Sequence, residues 1–389
     1  MSLKASNNVI LKFTKFIYYC QIPLGTSRVV FKSGEMRPIS IFNPTFWISF
    51  LSPFVCFGYI LITGSVTISK NILFAMLLTG IPLMVNVIYT RKLSVKLYKL
   101  CQEISNSCQE ITKSSYVMKI NWIMCGIVLI ILLNLIPELI NVIYNCYNWK
   151  TGMEWIFMLV EVYRKMIRPL IWDLDLMLWI HFCNILRMNV QSINNLLGEK
   201  YLKKAIGKTC KTKCSIIVAE KNSEPEKETL KKCIYVFERT NYAFTLLKRI
   251  HKYSIFTFCA KTFIIGLFRF REILLNILSD SKIISHGIDW ELILFKNVRN
   301  LFIIALLSTT AELYCKELDD TRKIASQIMD YTKEKTQVYD VVKTILWLIE
   351  ETPPDFVFFG FFKLDGTLPF KYITQYLTYA VILIQFTFL

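Results

Sequence analysis

The closing stretch of the sequence, residues 372–389, constrains the fold most because it contains no charged residue. As a helix rising about 1.5 Å per residue, a segment of this length is about long enough to cross the hydrocarbon core of a bilayer. Polar side chains nevertheless recur within it. A helical wheel places one set along one side: Thr374, Thr378, Ile382, Gln385 and Leu389. A neighbouring side holds a second set: Tyr372, Tyr376, Tyr379, Leu383 and Phe386.

The amide of Gln385 needs a hydrogen-bond partner or water, because an unpaired amide in an apolar medium costs a few kcal/mol. Two interpretations stay open from the sequence. Gln385 bonds a neighbouring helix, or the terminal helix lines a water-filled path.

The whole chain has the composition of a membrane protein with several spans. Hydrophobic residues make up 54% of its 389 residues, charged residues make up 19%, and the mean hydropathy is +0.42. The net charge of +17 does not indicate a nucleic-acid partner, because the cations fall between apolar runs and no base-reading motif is present.

The apolar runs predict an all-α membrane protein with seven transmembrane helices. The expected spans are residues 42–63, 71–90, 120–144, 155–182, 253–270, 297–314 and 372–389. Lysine and arginine are concentrated in segments 1–41, 91–119, 184–252 and 316–371, while the outer connections hold Lys70, Lys150, Lys282 and Lys296. This distribution predicts the N-terminus inside and the C-terminus outside.

Helical spacing also extends beyond the spans. Segments 188–204, 228–248, 311–332 and 339–351 are expected to be helical, with a lysine-rich linker at 209–227. We therefore expect spans four to six to continue into the cytoplasm as long helices that pack together.

Three motifs toward the C-terminus carry a family resemblance. Thr378-Tyr379, five apolar residues and then Gln385-Phe386 resemble the terminal motif of insect gustatory receptors. Residues 360–365 and 311–318 are similar to the segment that leads into the last span of that family and to the exit of its sixth span.

This resemblance implies a ligand-gated cation channel subunit in the plasma membrane that assembles as a homotetramer, or with other receptors of its kind. It implies a cytoplasmic segment 1–41, a six-helix ligand-binding domain 42–314 with inner helices at 184–252, an anchor segment 315–371 and a pore helix 372–389. The implied pore residues are Thr378, Ile382, Gln385 and Phe386. The implied partners are a small tastant, monovalent and divalent cations, and membrane lipid.

Charges and aromatic rings in the outer halves of the spans suggest a ligand pocket, because an ionised group at bilayer depth needs a partner or water. The candidates are Glu138, Tyr144, Trp155, Glu161, Tyr163 and Arg269. The structural alternative is mutual pairing, for example between Glu161 and Lys165 or between Arg168 and Asp175.

Other classes fit the sequence less well. No catalytic motif is visible, so no enzyme and no cofactor are expected. Cys210, Cys214 and Cys233 with His251 match no strong zinc pattern. A transporter is expected to show repeats and matching broken spans, and Gly80-Ile81-Pro82, which should break span two, has no counterpart. An odorant-receptor-type subunit that needs a co-receptor and a G-protein-coupled receptor with an external N-terminus remain alternatives.

Overall fold

The computed structural model describes residues 3–32, 35–40, 42–47, 51, 70–112, 139, 168–203, 224–278, 290–332, 336–351 and 355–388. The helices in these residues are α1 (Leu3–Gln21), α2 (Lys70–Thr112), α3 (Arg168–Leu196, continued by a π-helical turn Leu197–Leu202), α4 (Glu224–Leu278), α5 (Trp290–Tyr331), α6 (Gln337–Glu351) and α7 (Leu368–Phe388). Two antiparallel hairpins pair β1 (Val29–Lys32) with β2 (Glu35–Pro38) and β3 (Val357–Phe358) with β4 (Phe362–Lys363).

The expectation that spans four to six continue as long helices is confirmed. Helix α3 continues through its π-helical turn to Leu202, α4 is 55 residues long, and α5 extends without interruption to Tyr331. Helix α2 continues in the same way to Thr112, which the sequence analysis did not predict.

The relative directions of the helices follow from pairs of contacts along each interface. Helices α2 and α4 are antiparallel, since Asn86 Nδ2 donates to Ile250 O at 3.0 Å and Lys232 Nζ lies 3.7 Å from Glu110 Oε2. Helices α3 and α5 are parallel, since Asp173 pairs with Arg299 and Asn194 Nδ2 donates to Glu317 O at 2.8 Å.

Three local predictions were wrong. The linker was expected to extend to residue 227, but α4 begins at Glu224 with Pro225 in its first turn, where a missing N–H costs nothing. Pro82 lies inside α2 and does not end that helix. The two hairpins were not expected in an all-α chain, and each has strands too short to show alternating periodicity.

A continuous core links the N-terminal segment to the long helices. Ile17, Tyr18 and Val29 are buried in the same cluster as residues of α2 to α6. The imidazole of His181 in α3 hydrogen-bonds the hydroxyl of Thr14 in α1 at 2.8 Å. The segment before the first predicted span therefore packs onto the bundle.

Among the described residues, the stretch Pro169–Leu202 is long and apolar enough to cross a membrane by length and composition, and 89% of its most apolar window is buried inside the protein. Predicted span one is described only at residues 42–47 and 51, span three only at residue 139, and span four from residue 168 onward.

Candidate functional site

The hairpin β3–β4 anchors the start of the terminal helix in the core. Phe356 and Phe358 are each 1% exposed. The ring centroid of Phe356 lies 5.3 Å from that of Trp179 in α3 and 4.4 Å from that of Phe244 in α4. The aromatic residues just before α7 therefore join it to two long helices.

The hairpin turn holds an unusual backbone conformation. Phe359 has φ of 51° and Gly360 has φ of 77°, a region that a glycine occupies freely and a phenylalanine at a cost. The Phe359 ring is held by Lys252, whose ammonium lies 4.1 Å from the ring centroid, and by the rings of Tyr253 and Phe256 at 5.1 and 5.0 Å. These contacts from α4 fix the turn.

Asp365 forms the cap at the entry to α7. Its Oδ1 accepts hydrogen bonds from the Thr367 hydroxyl at 2.6 Å and the Thr367 N–H at 3.1 Å. Partial burial alone raises the pKa of this carboxyl, but the Thr367 hydrogen bonds and the nearby Lys371 charge outweigh it, so that the pKa lies below its usual range. The helix begins at Leu368, four residues before the predicted span.

One side of α7 packs against α4 through tyrosines. The Phe263 ring lies edge-on to Tyr372, Tyr376 and Tyr379, with centroids 5.6, 6.3 and 5.7 Å away. The Tyr376 hydroxyl donates to Gly266 O at 3.1 Å. A Cβ on Gly266 would lie 2.8 Å from the Tyr376 ring, so the glycine provides the space for this side chain.

The opposite side of α7 carries the polar residues and is not covered by the described part of the chain. Thr374, Thr378 and Gln385 are all exposed and fall within about 40° of one another on the helix. Tyr376 and Leu383 lie about 160–180° away and are partly buried. The hydroxyls of Thr374 and Thr378 donate to the carbonyls four residues earlier at 2.9 Å each.

All four predicted pore residues lie on this uncovered surface. Thr378 and Gln385 are at its centre, Ile382 is 37% exposed beside them, and Phe386 is 79% exposed at its edge. Phe386 was grouped with the tyrosines by the helical wheel, but it does not share their burial. The structure thus brings the four residues to one helix surface, and their role in a pore stays a prediction.

Buried charges form a second feature that the sequence analysis did not find. Arg28, which is 1% exposed, donates to a carboxylate oxygen of Asp175 and, through Nε, to the Thr90 hydroxyl at 2.9 Å. His251 Nδ1 lies 3.5 Å from the other Asp175 oxygen. Asp175 therefore pairs with Arg28, because the N-terminal segment folds back between α2 and α3. The side chain of Arg168, the other expected partner, is not described.

Arg299 in α5 pairs with Asp173 in α3, which is nearly fully buried. The pair is an example of the mutual pairing of span charges that the sequence analysis set against a ligand pocket, and it joins α3 to α5. Both pairs join residues more than 120 positions apart. The spacing of residues within one helix cannot predict contacts between residues so far apart in the sequence.

Five of the six residues predicted for the ligand pocket are not described by the structure. Glu138, Tyr144, Trp155, Glu161 and Tyr163 lie outside the described residues, as does the expected Glu161–Lys165 pair. Arg269 belongs to α4, but its side chain is not described. The pocket stays a prediction.

Of the groups weighed for zinc, Cys233 is buried in α4 and His251 contacts Asp175, while Cys210 and Cys214 lie outside the described residues. Within the part of the chain that the structure describes, no group of three histidine, cysteine or acidic side chains could hold a metal ion.

The described residues form a bundle of long helices joined by buried ion pairs, with a terminal helix whose polar residues lie on its uncovered side. Sequence comparison then specifies the family. The profile described as "7tm Chemosensory receptor" matches residues 8–389, so the chain belongs to this family, the superfamily of insect gustatory and odorant receptors. No curated protein matches the sequence.

Proposed function

We propose that this protein is a gustatory-type receptor: a ligand-gated, non-selective cation channel subunit in the plasma membrane, opened by a small bitter or sugar-like tastant. Its family supports a chemoreceptor role. The channel mechanism is supported by one observation, which is that the described part of the chain leaves the polar residues of α7 uncovered.

The uncovered surface of α7 faces either lipid or a water-filled pore. In lipid, the amide of Gln385 and the free acceptor sites of Thr374 and Thr378 would lack partners, and each missing partner costs a few kcal/mol. Facing water between several copies of α7, the same groups are solvated. A helix that faced lipid would instead turn its polar side toward α4, where the tyrosines lie.

Four copies of the chain around a shared axis would place Thr378, Ile382, Gln385 and Phe386 along one conduit for monovalent and divalent cations. Gln385 and Phe386 lie about 100° apart on the helix, so that a modest rotation exchanges which of them faces the axis. A ring of apolar side chains can then close the path by dewetting. A tastant bound among the outer spans shifts the population toward the open state.

Accessibility along α7 tests the pore directly. Thr378→Cys and Gln385→Cys are expected to react with a charged thiol reagent applied to intact cells and to change the ligand-evoked current. Ala380→Cys is the matched control on the same helix, because Ala380 is 5% exposed against the bundle. Equal protection of all three cysteines, with and without ligand, contradicts the pore assignment.

Permeation provides a second test. Gln385→Ala and Phe386→Ala channels are expected to show altered ion permeability or gating in whole-cell recordings. If both variants conduct and gate as the parent does, these residues do not line the narrow part of the path.

The family also includes odorant-type subunits, which need a co-receptor. Ligand-evoked currents from cells that express this chain alone support the gustatory type and a homotetramer. Currents that require a second receptor chain support a hetero-oligomer.

A further inference from the structure

Helices α2 and α4 pack side by side and share a long region without acidic residues. Helix α2 has no aspartate or glutamate before Glu103, and α4 has none between Glu238 and Glu272. Within these lengths, residues 91–99 of α2 and 239–252 of α4 carry eight cations, namely Arg91, Lys92, Lys96, Lys99, Arg239, Lys248, Arg249 and Lys252. Such separation of charge creates a local positive potential.

Part of this region forms one exposed surface. Tyr89, Lys92 and Lys96 occupy successive turns of α2, and all three are exposed. Tyr242, Thr245 and Arg249 do the same on α4. We call these six residues the basic face.

Two contacts between the helices close the ends of the basic face. At one end Arg249 Nη2 donates to the Tyr89 hydroxyl at 3.2 Å. At the other end the Lys96 ammonium donates to the Tyr242 hydroxyl and lies 4.7 Å from the centroid of that ring. Lys92 and Thr245 lie between these contacts, so that aromatic side chains hold two cations in place around a polar centre.

The cations of the basic face are oriented but not neutralised. Among the described residues, no carboxylate lies within salt-bridge distance of Lys92, Lys96 or Arg249, whereas Arg322 and Lys323 on α5 each have an aspartate at 3.2 Å. Glu103, the first acid along α2, accepts a hydrogen bond from Tyr235.

Like charges also crowd the edge of the face. Burial lowers the pKa of Lys248, and the neighbouring Lys252 charge lowers that pKa further, while the charge of Asp355 raises it in part. Lys248 also donates to the Asp355 carbonyl, so it is not counted in the basic face. A surface with several close, unpaired cations binds anions.

The position of the face indicates which anion. Thr90 ends predicted span two and Tyr253 begins predicted span five, and the contact of Tyr89 with Arg249 brings these two ends to the same level. Tyrosines and cations at the end of a span are typical of the depth where lipid headgroups lie. In the proposed orientation this is the cytoplasmic leaflet, which carries the anionic lipids.

We propose that the basic face binds the phosphate-bearing headgroup of an anionic lipid of the cytoplasmic leaflet, of the phosphorylated inositol class. The planar guanidinium of Arg249 suits a phosphate group because it donates two parallel hydrogen bonds, and the two ammonium groups supply point charges. Three cations match a headgroup with several negative charges better than one with a single charge. The inference rests on the membrane orientation of the proposed function, but not on channel activity.

Direct binding to the purified full-length protein tests this site. Two probes are used. Short-chain phosphatidylinositol 4,5-bisphosphate is the lipid probe, and inositol 1,4,5-trisphosphate is the probe for the free headgroup. Lys96→Gln/Arg249→Gln is expected to weaken binding of the lipid by about tenfold or more, because each cation near a headgroup contributes about one kcal/mol. The control Lys316→Gln/Lys343→Gln removes the same charge from exposed positions on α5 and α6 and is expected to change affinity by less than about twofold.

Lys96→Arg/Arg249→Lys keeps the charges and is expected to retain most of the binding, which separates lost charge from a damaged fold. Equal weakening by the site and control variants would show diffuse attraction and overturn the site. If inositol 1,4,5-trisphosphate binds as tightly as the lipid, the site recognises a soluble phosphate and its assignment to a membrane lipid is wrong. Unchanged affinity in Lys96→Gln/Arg249→Gln would overturn the proposal outright. None of these outcomes depends on current, so the channel proposal is tested separately.

Discussion

The β3–β4 hairpin and the terminal helix α7 are neighbours in the chain, yet they use their aromatic residues differently. Phe356 and Phe358 of the hairpin are each 1% exposed, and their partners all lie in the same chain. Phe386 near the end of α7 is 79% exposed. The hairpin packs within the described bundle, whereas α7 presents a surface that the described part of the chain leaves uncovered.

This difference separates stability from assembly. Side chains that fill the core beneath α7 contribute to the folding of each subunit. In the proposed function, side chains on the uncovered surface of α7 contribute to the assembled channel. Four tests, in order of expected effect, examine that separation.

The largest effect is expected from a matched pair of phenylalanine truncations. Phe356→Ala leaves a cavity between Trp179 and Phe244 and should lower the free energy of unfolding by about 3–5 kcal/mol. Phe386→Ala should change it by less than about 0.5 kcal/mol while altering permeation. Thermal unfolding of the purified variants measures the first effect, and equal destabilisation would remove the distinction between the two regions.

The next effect concerns buried charge. Arg28→Met leaves the Asp175 carboxylate buried without its cation, and we expect a loss of about 3–5 kcal/mol, less whatever His251 recovers. Arg37→Met removes the exposed partner of Glu35 and should cost about 1 kcal/mol or less. Denaturant titrations of both variants provide the comparison, and similar midpoints would contradict a structural role for the Arg28 pair.

A smaller effect is expected where α7 meets α4. Gly266→Ala places a methyl group 2.8 Å from the Tyr376 ring, so the helix must shift, at a cost of about 1–3 kcal/mol. Gly198→Ala is the control, because nothing lies within 4 Å of its added Cβ. Unfolding temperature and ligand-evoked current should both change for Gly266→Ala, and neither should fall for Gly198→Ala.

The smallest effect is a pH dependence at the start of α7. The pKa of Asp365 is lower in the folded protein than in the unfolded chain, so its contribution is present above about pH 4, the unfolded pKa, and is lost as the pH falls through the folded pKa. Asp365→Ala should cost about 1 kcal/mol at neutral pH, as loss of a helix cap does. The difference between parent and variant should shrink in acid; a constant difference from pH 7 to pH 3 would contradict this assignment.

Local patterns predicted much of the helical architecture. The continuation of α3, α4 and α5 beyond their apolar runs follows from side chains three and four positions apart, which lie on one helix surface. The grouping of Thr374, Thr378 and Gln385 follows for the same reason. Periodicity could not show which side of α7 packs, and the structure places the tyrosines against α4 and the polar residues outward.

The sequence by itself determined that this is a many-helix membrane-type chain of the chemosensory receptor family, and that its last helix has a polar side. Only the tertiary structure decided the partners: Arg28 with Asp175, Tyr376 with Gly266, and Tyr89 with Arg249. The physical reason is range. A helix is determined by neighbours within a few residues, whereas these pairs are separated by 110 to 160 positions, and only the path of the folded chain brings them together.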